Sequence, residues 1–101
     1  MIQIVVTSWW PLHIAEKVQK KSAETSKEMG VTSSIKSVTA YMTSCKIGGK
    51  ITAYHGIERG KLEEAVVYLA RFLATYHDVK GFSYEFSFAY TPEDIEEAQQ
   101  A

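Results

Sequence analysis

Apolar and polar positions trade places along this chain with two different periods. From Met1 to Trp9 they alternate in a segment rich in β-branched residues, which predicts a first strand. Ile2, Ile4 and Val6 point to one side of it, and Gln3, Val5, Thr7 and Trp9 to the other. Pro11 is expected to stop that strand and to occupy a first helical turn, with Ser8 as a capping side chain. From Leu12 to Met29 the period becomes helical. Ile14, Ala15, Val18, Ser22, Thr25 and Met29 form a narrow inward stripe, while Glu16, Lys17, Lys20, Lys21, Glu24, Lys27 and Glu28 form a mixed-charge outer face. Gly30 suits the left-handed position that ends a helix.

Alternation returns from Ile35 to Ile47 and again from Lys50 to Glu58, with Gly48-Gly49 between. This predicts a long hairpin folded on a two-residue glycine turn. That register sets Cys45 opposite Thr52, Thr43 opposite Tyr54 and Tyr41 opposite Gly56 on one face. The other face pairs Met42 with His55, Ala40 with Ile57 and Val38 with Arg59. The second set is the more aliphatic, so it is expected to lie under the helices, with His55 as a hydrogen-bonded structural histidine. A slip of one residue would reverse the two faces.

Gly60 leads into the strongest helical pattern, Lys61 to His77, where Leu62, Ala65, Val66, Leu69, Leu73 and Tyr76 recur at helical spacing. Val67, Tyr68 and Phe72 fall beside that stripe. They either widen the buried face or form a contact surface. Phe82 to Tyr90 alternates strictly, with Phe82, Tyr84, Phe86, Phe88 and Tyr90 opposite Ser83, Glu85, Ser87 and Ala89. Thr91 and Pro92 then open a short terminal helix, as cap and first helical residue, which Ile95 and Ala98 would dock.

The element order is thus β-α-β-β-α-β. Right-handed crossovers place the third strand between the first and second. The economical outcome is an α+β domain with a four-stranded antiparallel sheet of order 4-1-3-2 and two helices on one face. One domain is expected over residues 1–101, with a core of 1–90 and a C-terminal helix over 91–101. A chain of 101 residues with 46% hydrophobic and 23% charged residues fits a single globular unit. With net charge −1, no overall field attracts nucleic acid or an anionic membrane, so neither is expected as a partner. No apolar run approaches the roughly 20 residues of a membrane span, and residues 1–10 lack a signal-peptide pattern. Cys45 is the single cysteine, which excludes an internal disulfide and makes a cytoplasmic location the expectation. The absence of Asn excludes N-glycosylation and hints at a heat-adapted source.

On this element order the chain resembles the ferredoxin-like fold over residues 1–90. The sheet face away from the helices would carry Gln3, Val5, Thr7, Trp9, Thr39, Tyr41, Thr43, Tyr54, Ser83, Glu85 and Ser87. That face is too aromatic for plain solvent and too polar for a dry core. Covering it with a second copy resembles the dimeric α+β-barrel superfamily. This resemblance implies a homodimer, and it spans cofactor-free monooxygenases, isomerases, haem-degrading enzymes and stress-responsive barrel proteins.

Three function classes follow. In the first, the domain binds a small organic ligand in a polar-aromatic pocket on the sheet face, lined by Gln3, Thr7, Trp9, Trp10, Tyr41 and Tyr54. In the second, it is a cofactor-independent enzyme, monooxygenase- or isomerase-like, in which His13, His77 or Glu85 moves a proton. Against that, His77 at a helix C-terminus and Glu85 on an edge strand need no catalytic role. In the third, it is a structural or regulatory assembly unit. No metal or cofactor is expected: the three His and one Cys lack ligand spacing, and no phosphate-binding glycine loop is present. An RRM-like sheet would need basic flanks that are missing, and Cys45 has no partner that would activate it.

Overall fold

The computed structural model describes residues 2–100, except the side chains of Ala98 and Gln100. Met1, expected in the first strand, and Ala98, expected to dock the last helix, lie outside that description. The elements are β1 (Gln3–Pro11), α1 (Ala15–Met29, entered through a 3-10 turn over Leu12–Ile14), β2 (Ile35–Cys45), β3 (Gly48–Ile57), α2 (Leu62–Ala74, continued by a 3-10 turn over Thr75–Asp78), β4 (Ser83–Ala89) and α3 (Pro92–Gln100). The sheet is antiparallel with order β2-β3-β1-β4, which is the expected 4-1-3-2 read from the other edge.

β1 does end at Pro11, but Pro11 has extended backbone and does not stand in the first helical turn. It is the last residue of the strand, paired with Gly48. Ser8 is a buried residue within β1, and the helix entry carries no side-chain cap. At the other end, Gly30 ends α1 with φ 68, its amide donating to the Ser26 carbonyl at 3.0 Å. Thr91 and Asp94 close a reciprocal capping box on α3. The Asp94 amide donates to Thr91 Oγ1 at 3.2 Å and the Thr91 amide to Asp94 Oδ2 at 2.8 Å. Ile95 on that helix is exposed.

The hairpin departs from the sequence expectation. Its turn is Lys46-Ile47, because Cys45 pairs with Gly48. Neither turn residue has positive φ; the left-handed backbone falls on Gly48, with φ 147. The glycines serve the neighbouring strand. A Cβ on Gly48 would lie 2.5 Å from both the Leu12 nitrogen and the Trp10 carbonyl oxygen, and one on Gly49 would lie 2.5 Å from the Trp10 indole. The whole register moves with the turn: Tyr54 faces Thr39, Tyr41 faces Thr52 and His55 faces Val38. From Thr43 to Thr39 is an even number of positions, so the side chains of β2 from Ser37 to Cys45 and of β3 keep their expected faces although their partners change.

A bulge then corrects the far end of β2. Ile35 pairs with Ile57 and Ser37 with Gly56, leaving Lys36 between them. Ile35 thereby packs against the core, and Lys36 reaches Glu58 at 2.8 Å.

The core lies between the sheet and α2. Ile4, Val6 and Ile57 pack on Ala65, Leu69 and Leu73. A second cluster at the end of β1 joins Trp10, Val18, Tyr76 and Val79, with Phe82 stacked on Tyr76 at 4.3 Å and on Trp10 at 6.4 Å. Replacing Gly49 by Ala is expected to cost about 1–3 kcal/mol by overpacking. Gly48→Ala should cost more, since the obstructing atoms are backbone and the φ is unfavourable for Ala. Urea unfolding of the two variants checks the order. A tolerated Gly48→Ala would contradict the close approach of β1.

Candidate functional site

α1 is held to α2 more than to the sheet. Thr25 Oγ1 lies 2.9 Å from Thr75 Oγ1, which itself donates to the Phe72 carbonyl at 2.7 Å. Lys21 pairs with Asp78 at 3.2 Å, and that contact draws the Asp78 carboxyl below its usual range. The Tyr68 hydroxyl donates to the Gly30 carbonyl at 2.6 Å. Burial pushes the Tyr76 phenol up, against a hydrogen bond from Ser22. These ties use the small and polar residues on the inner side of α1, which therefore do not fill the space above β2 and β3.

The result is a cavity of about 630 Å³ between the helices and the helix-facing side of the sheet. Its floor is a row of strand residues with a dip in the middle. His55 and Val38 stand at one end, Ile51 and Met42 toward the other, and Ala53 between. The α1 wall is Gln19, Ser22, Ala23 and Ser26; the α2 wall is Tyr68, Leu69, Phe72 and Leu73; Trp10, Tyr76 and Phe82 close one end. Tyr68 and Phe72 thus widen the inner face of α2, whereas Val67 beside them is exposed. The mouth runs along β2, where Val38 is 57% and Met42 67% exposed. No Lys, Arg, Asp or Glu is among the lining residues.

His55 is the ionisable group with a shifted pKa on this floor other than the Tyr76 phenol. It is 9% exposed, and its Nδ1 lies 3.2 Å from the Ile4 carbonyl oxygen. A carbonyl only accepts, so Nδ1 carries the proton and Nε2 the lone pair. Burial lowers the imidazole pKa, with the Ile4 and Ala53 carbonyls partly offsetting it.

The other sheet face holds the residues expected to bind a ligand, with one exception. Gln3, Thr39, Tyr41 and Tyr54 surround a shallow polar recess, with Tyr41 edge-on to Tyr54 at 6.0 Å. Thr7 sits further along β1 opposite Thr52 and Glu85, and Trp9 lies under Lys50 at 5.9 Å. Trp10 is the exception: it faces the helices and lines the large cavity. Trp9 and Trp10 therefore stand on opposite faces of the sheet.

His13, His77 and Glu85 are all exposed, and none lines the large cavity. His13 sits in the 3-10 turn after β1; His77 Nδ1 is 2.8 Å from the Ala74 carbonyl oxygen; Glu85 is on the edge strand β4. Cys45 is half-buried, its thiol 3.7 Å from the Gly49 carbonyl oxygen. Among the described residues no group of His, Cys, Asp and Glu could hold a metal ion, and no helix is long and apolar enough to cross a membrane.

The sequence reading did not find the cavity. Its signal was the inward stripe of α1, where Ser22 and Thr25 stand at positions that large apolar residues normally fill.

The lowered pKa of His55 carries a sign. The unfolded chain takes up its proton near pH 6.5 and the folded chain only at lower pH. Stability is therefore complete above about pH 6.5 and falls as pH drops toward the folded value. His55→Phe should flatten that part of the profile. Urea midpoints at pH 7.5, 6.5 and 5.5 for both proteins check it.

No family model matches the chain, and no curated protein matches it in sequence. Solved structures do resemble it. A dimeric ferredoxin-like protein from an uncultured marine organism aligns with TM-score 0.60 at 13% identity, over 90% of this chain and 94% of that one. The de novo designed protein Foldit4 aligns with TM-score 0.54 at 11% identity, over 89% of this chain and 96% of that one. A PII-like signaling protein from Thermus thermophilus aligns with TM-score 0.50 at 12% identity, over 94% of this chain and 93% of that one. At these identities the likeness concerns architecture alone, and a designed protein shares it. Together with the strand order and the crossovers, it identifies the chain as a ferredoxin-like α+β domain.

Proposed function

We propose that this chain is a homodimeric binding domain for a small, largely apolar organic molecule, held between the sheet and the helices. The observation that carries the reading is the cavity of about 630 Å³ with an apolar floor and a half-open mouth. It falls within the usual size of small-molecule sites, roughly 300–1,000 Å³. A protein core is normally packed with few voids larger than a water molecule, so space of this kind is unusual without an occupant.

The open sheet face supports the homodimer. Tyr41 there is 59% exposed, and it neighbours Tyr54, Trp9 and Thr7 on a surface without a covering element. An isologous two-fold pairing would bury these aromatics against their copies. In this reading Gln3, Thr7, Trp9, Tyr41 and Tyr54 belong to the contact between copies, and Trp10 to the ligand site. The proton-transfer roles of His13, His77 and Glu85 gain no support from their exposed positions.

Binding of N-phenyl-1-naphthylamine tests the cavity. Its fluorescence should rise on binding, with energy transfer from Trp10. Ala53→Leu should fill the dip in the floor and weaken binding at least about tenfold, with stability unchanged or raised by up to about 1 kcal/mol. Unaltered affinity in the folded variant would place the probe elsewhere. Light scattering at micromolar concentration should give a dimer, and Tyr41→Lys a monomer that still binds the probe. A monomeric wild-type protein would remove the sheet-to-sheet pairing while leaving the cavity to its own test.

A further inference from the structure

The cavity is apolar but not featureless, and the imidazole of His55 stands on its floor. The ring is nine-tenths buried and lines the floor. Its Nδ1 proton is committed to the Ile4 carbonyl, 3.2 Å away. Nε2 makes no hydrogen bond among the described residues, and it is not sealed off, since no fully buried side-chain nitrogen or oxygen there lacks a partner. The open space beside it is the cavity that the ring lines.

Ser8, Gln19 and Ser26 also line the cavity, and other polar groups there are bonded within the protein. The Tyr68 hydroxyl donates to the Gly30 carbonyl at 2.6 Å, and Thr32 Oγ1 is 2.9 Å from Ser34 Oγ. Ser22 is engaged by Tyr76. No cationic side chain lines the cavity, so an anion would be desolvated without compensation.

We propose that the cavity selects a neutral, apolar molecule bearing one hydroxyl group, a phenol or an alcohol, whose O–H donates to His55 Nε2. This rests on the cavity reading above and adds the chemistry of the ligand. The lowered basicity of His55 agrees with it, because a neutral imidazole keeps the lone pair at neutral pH. A ligand without a donor would strip water from Nε2 and leave it unpaired, which is the situation in which a buried acceptor discriminates best.

The test compares three probes of similar shape on the full chain at pH 7.5: 1-naphthol, 1-methoxynaphthalene and 1-naphthoate. 1-Naphthol is expected to bind about tenfold more tightly than 1-methoxynaphthalene, the scale of one net hydrogen bond, and 1-naphthoate more weakly than either. In His55→Phe the first two should bind alike. On the wild-type protein, ¹⁵N NMR should show the His55 Nε2 resonance move upfield when 1-naphthol binds and downfield when 1-methoxynaphthalene displaces water from it. Equal affinities for these two in the wild type, or an unmoved Nε2, overturn the inference and leave the cavity as an unselective apolar site. If none of the three binds, the cavity reading itself falls. The wild-type comparison and the NMR signal stand even if His55→Phe does not fold.

Discussion

The seat of the Trp10 indole on Gly49 is the contact on which the rest of the sheet depends. β1 is a central strand, with β3 on one side and β4 on the other, and its last residues press against the start of β3. There is no room for a side chain at either glycine. The two glycines are therefore held inside β3, and the chain must turn before them, at Lys46-Ile47. That turn sets the register of β2 against β3, and the register decides which residues share each face. Trp10 also anchors the cluster with Tyr76 and Phe82, which ties the end of β1 to the end of α2 and to the start of β4.

With the faces assigned, the division of labour between the helices becomes intelligible. α2 supplies Leu69 and Leu73 to a dry core over β1. α1 supplies Val18 and then mostly hydroxyls, and it satisfies them on α2: Thr25 on Thr75, Ser22 on Tyr76. Hydroxyl pairs of this kind fix the angle of α1 without filling volume. The volume left over lies above Ala53, where the floor is lowest, and it opens toward β2 because nothing from α1 covers Val38 and Met42.

The two faces of the sheet have different chemistry for the same reason. One is aliphatic, concave and roofed, with a single neutral imidazole. The other is flat, hydroxyl-rich and aromatic, with Tyr41, Tyr54 and Trp9 standing on it. A concave apolar face suits a small molecule. A flat aromatic-polar face suits a second protein surface, where tyrosine and tryptophan bury area while keeping their polar ends bonded.

Period and punctuation in the amino-acid sequence were sufficient for the element order, the strand order and the face of each strand residue except Trp10 and, beyond the bulge, Ile35. Alternation at Ile4, Val6 and Phe86 or helical spacing at Ala65, Leu69 and Leu73 is a local property, read without knowing any partner. The pairing of Thr39 with Tyr54 was not local. Gly48-Gly49 has the composition of a turn, and only the approach of Trp10, from a strand distant in the chain, moved the turn two residues back. The sidedness survived because the displacement was even. The cavity belongs wholly to the tertiary structure. Whether Ser22, Ser26 and Ala53 leave space or are closed over depends on where α1 comes to rest, and that is set by hydroxyl bonds between helices rather than by any periodicity in the chain.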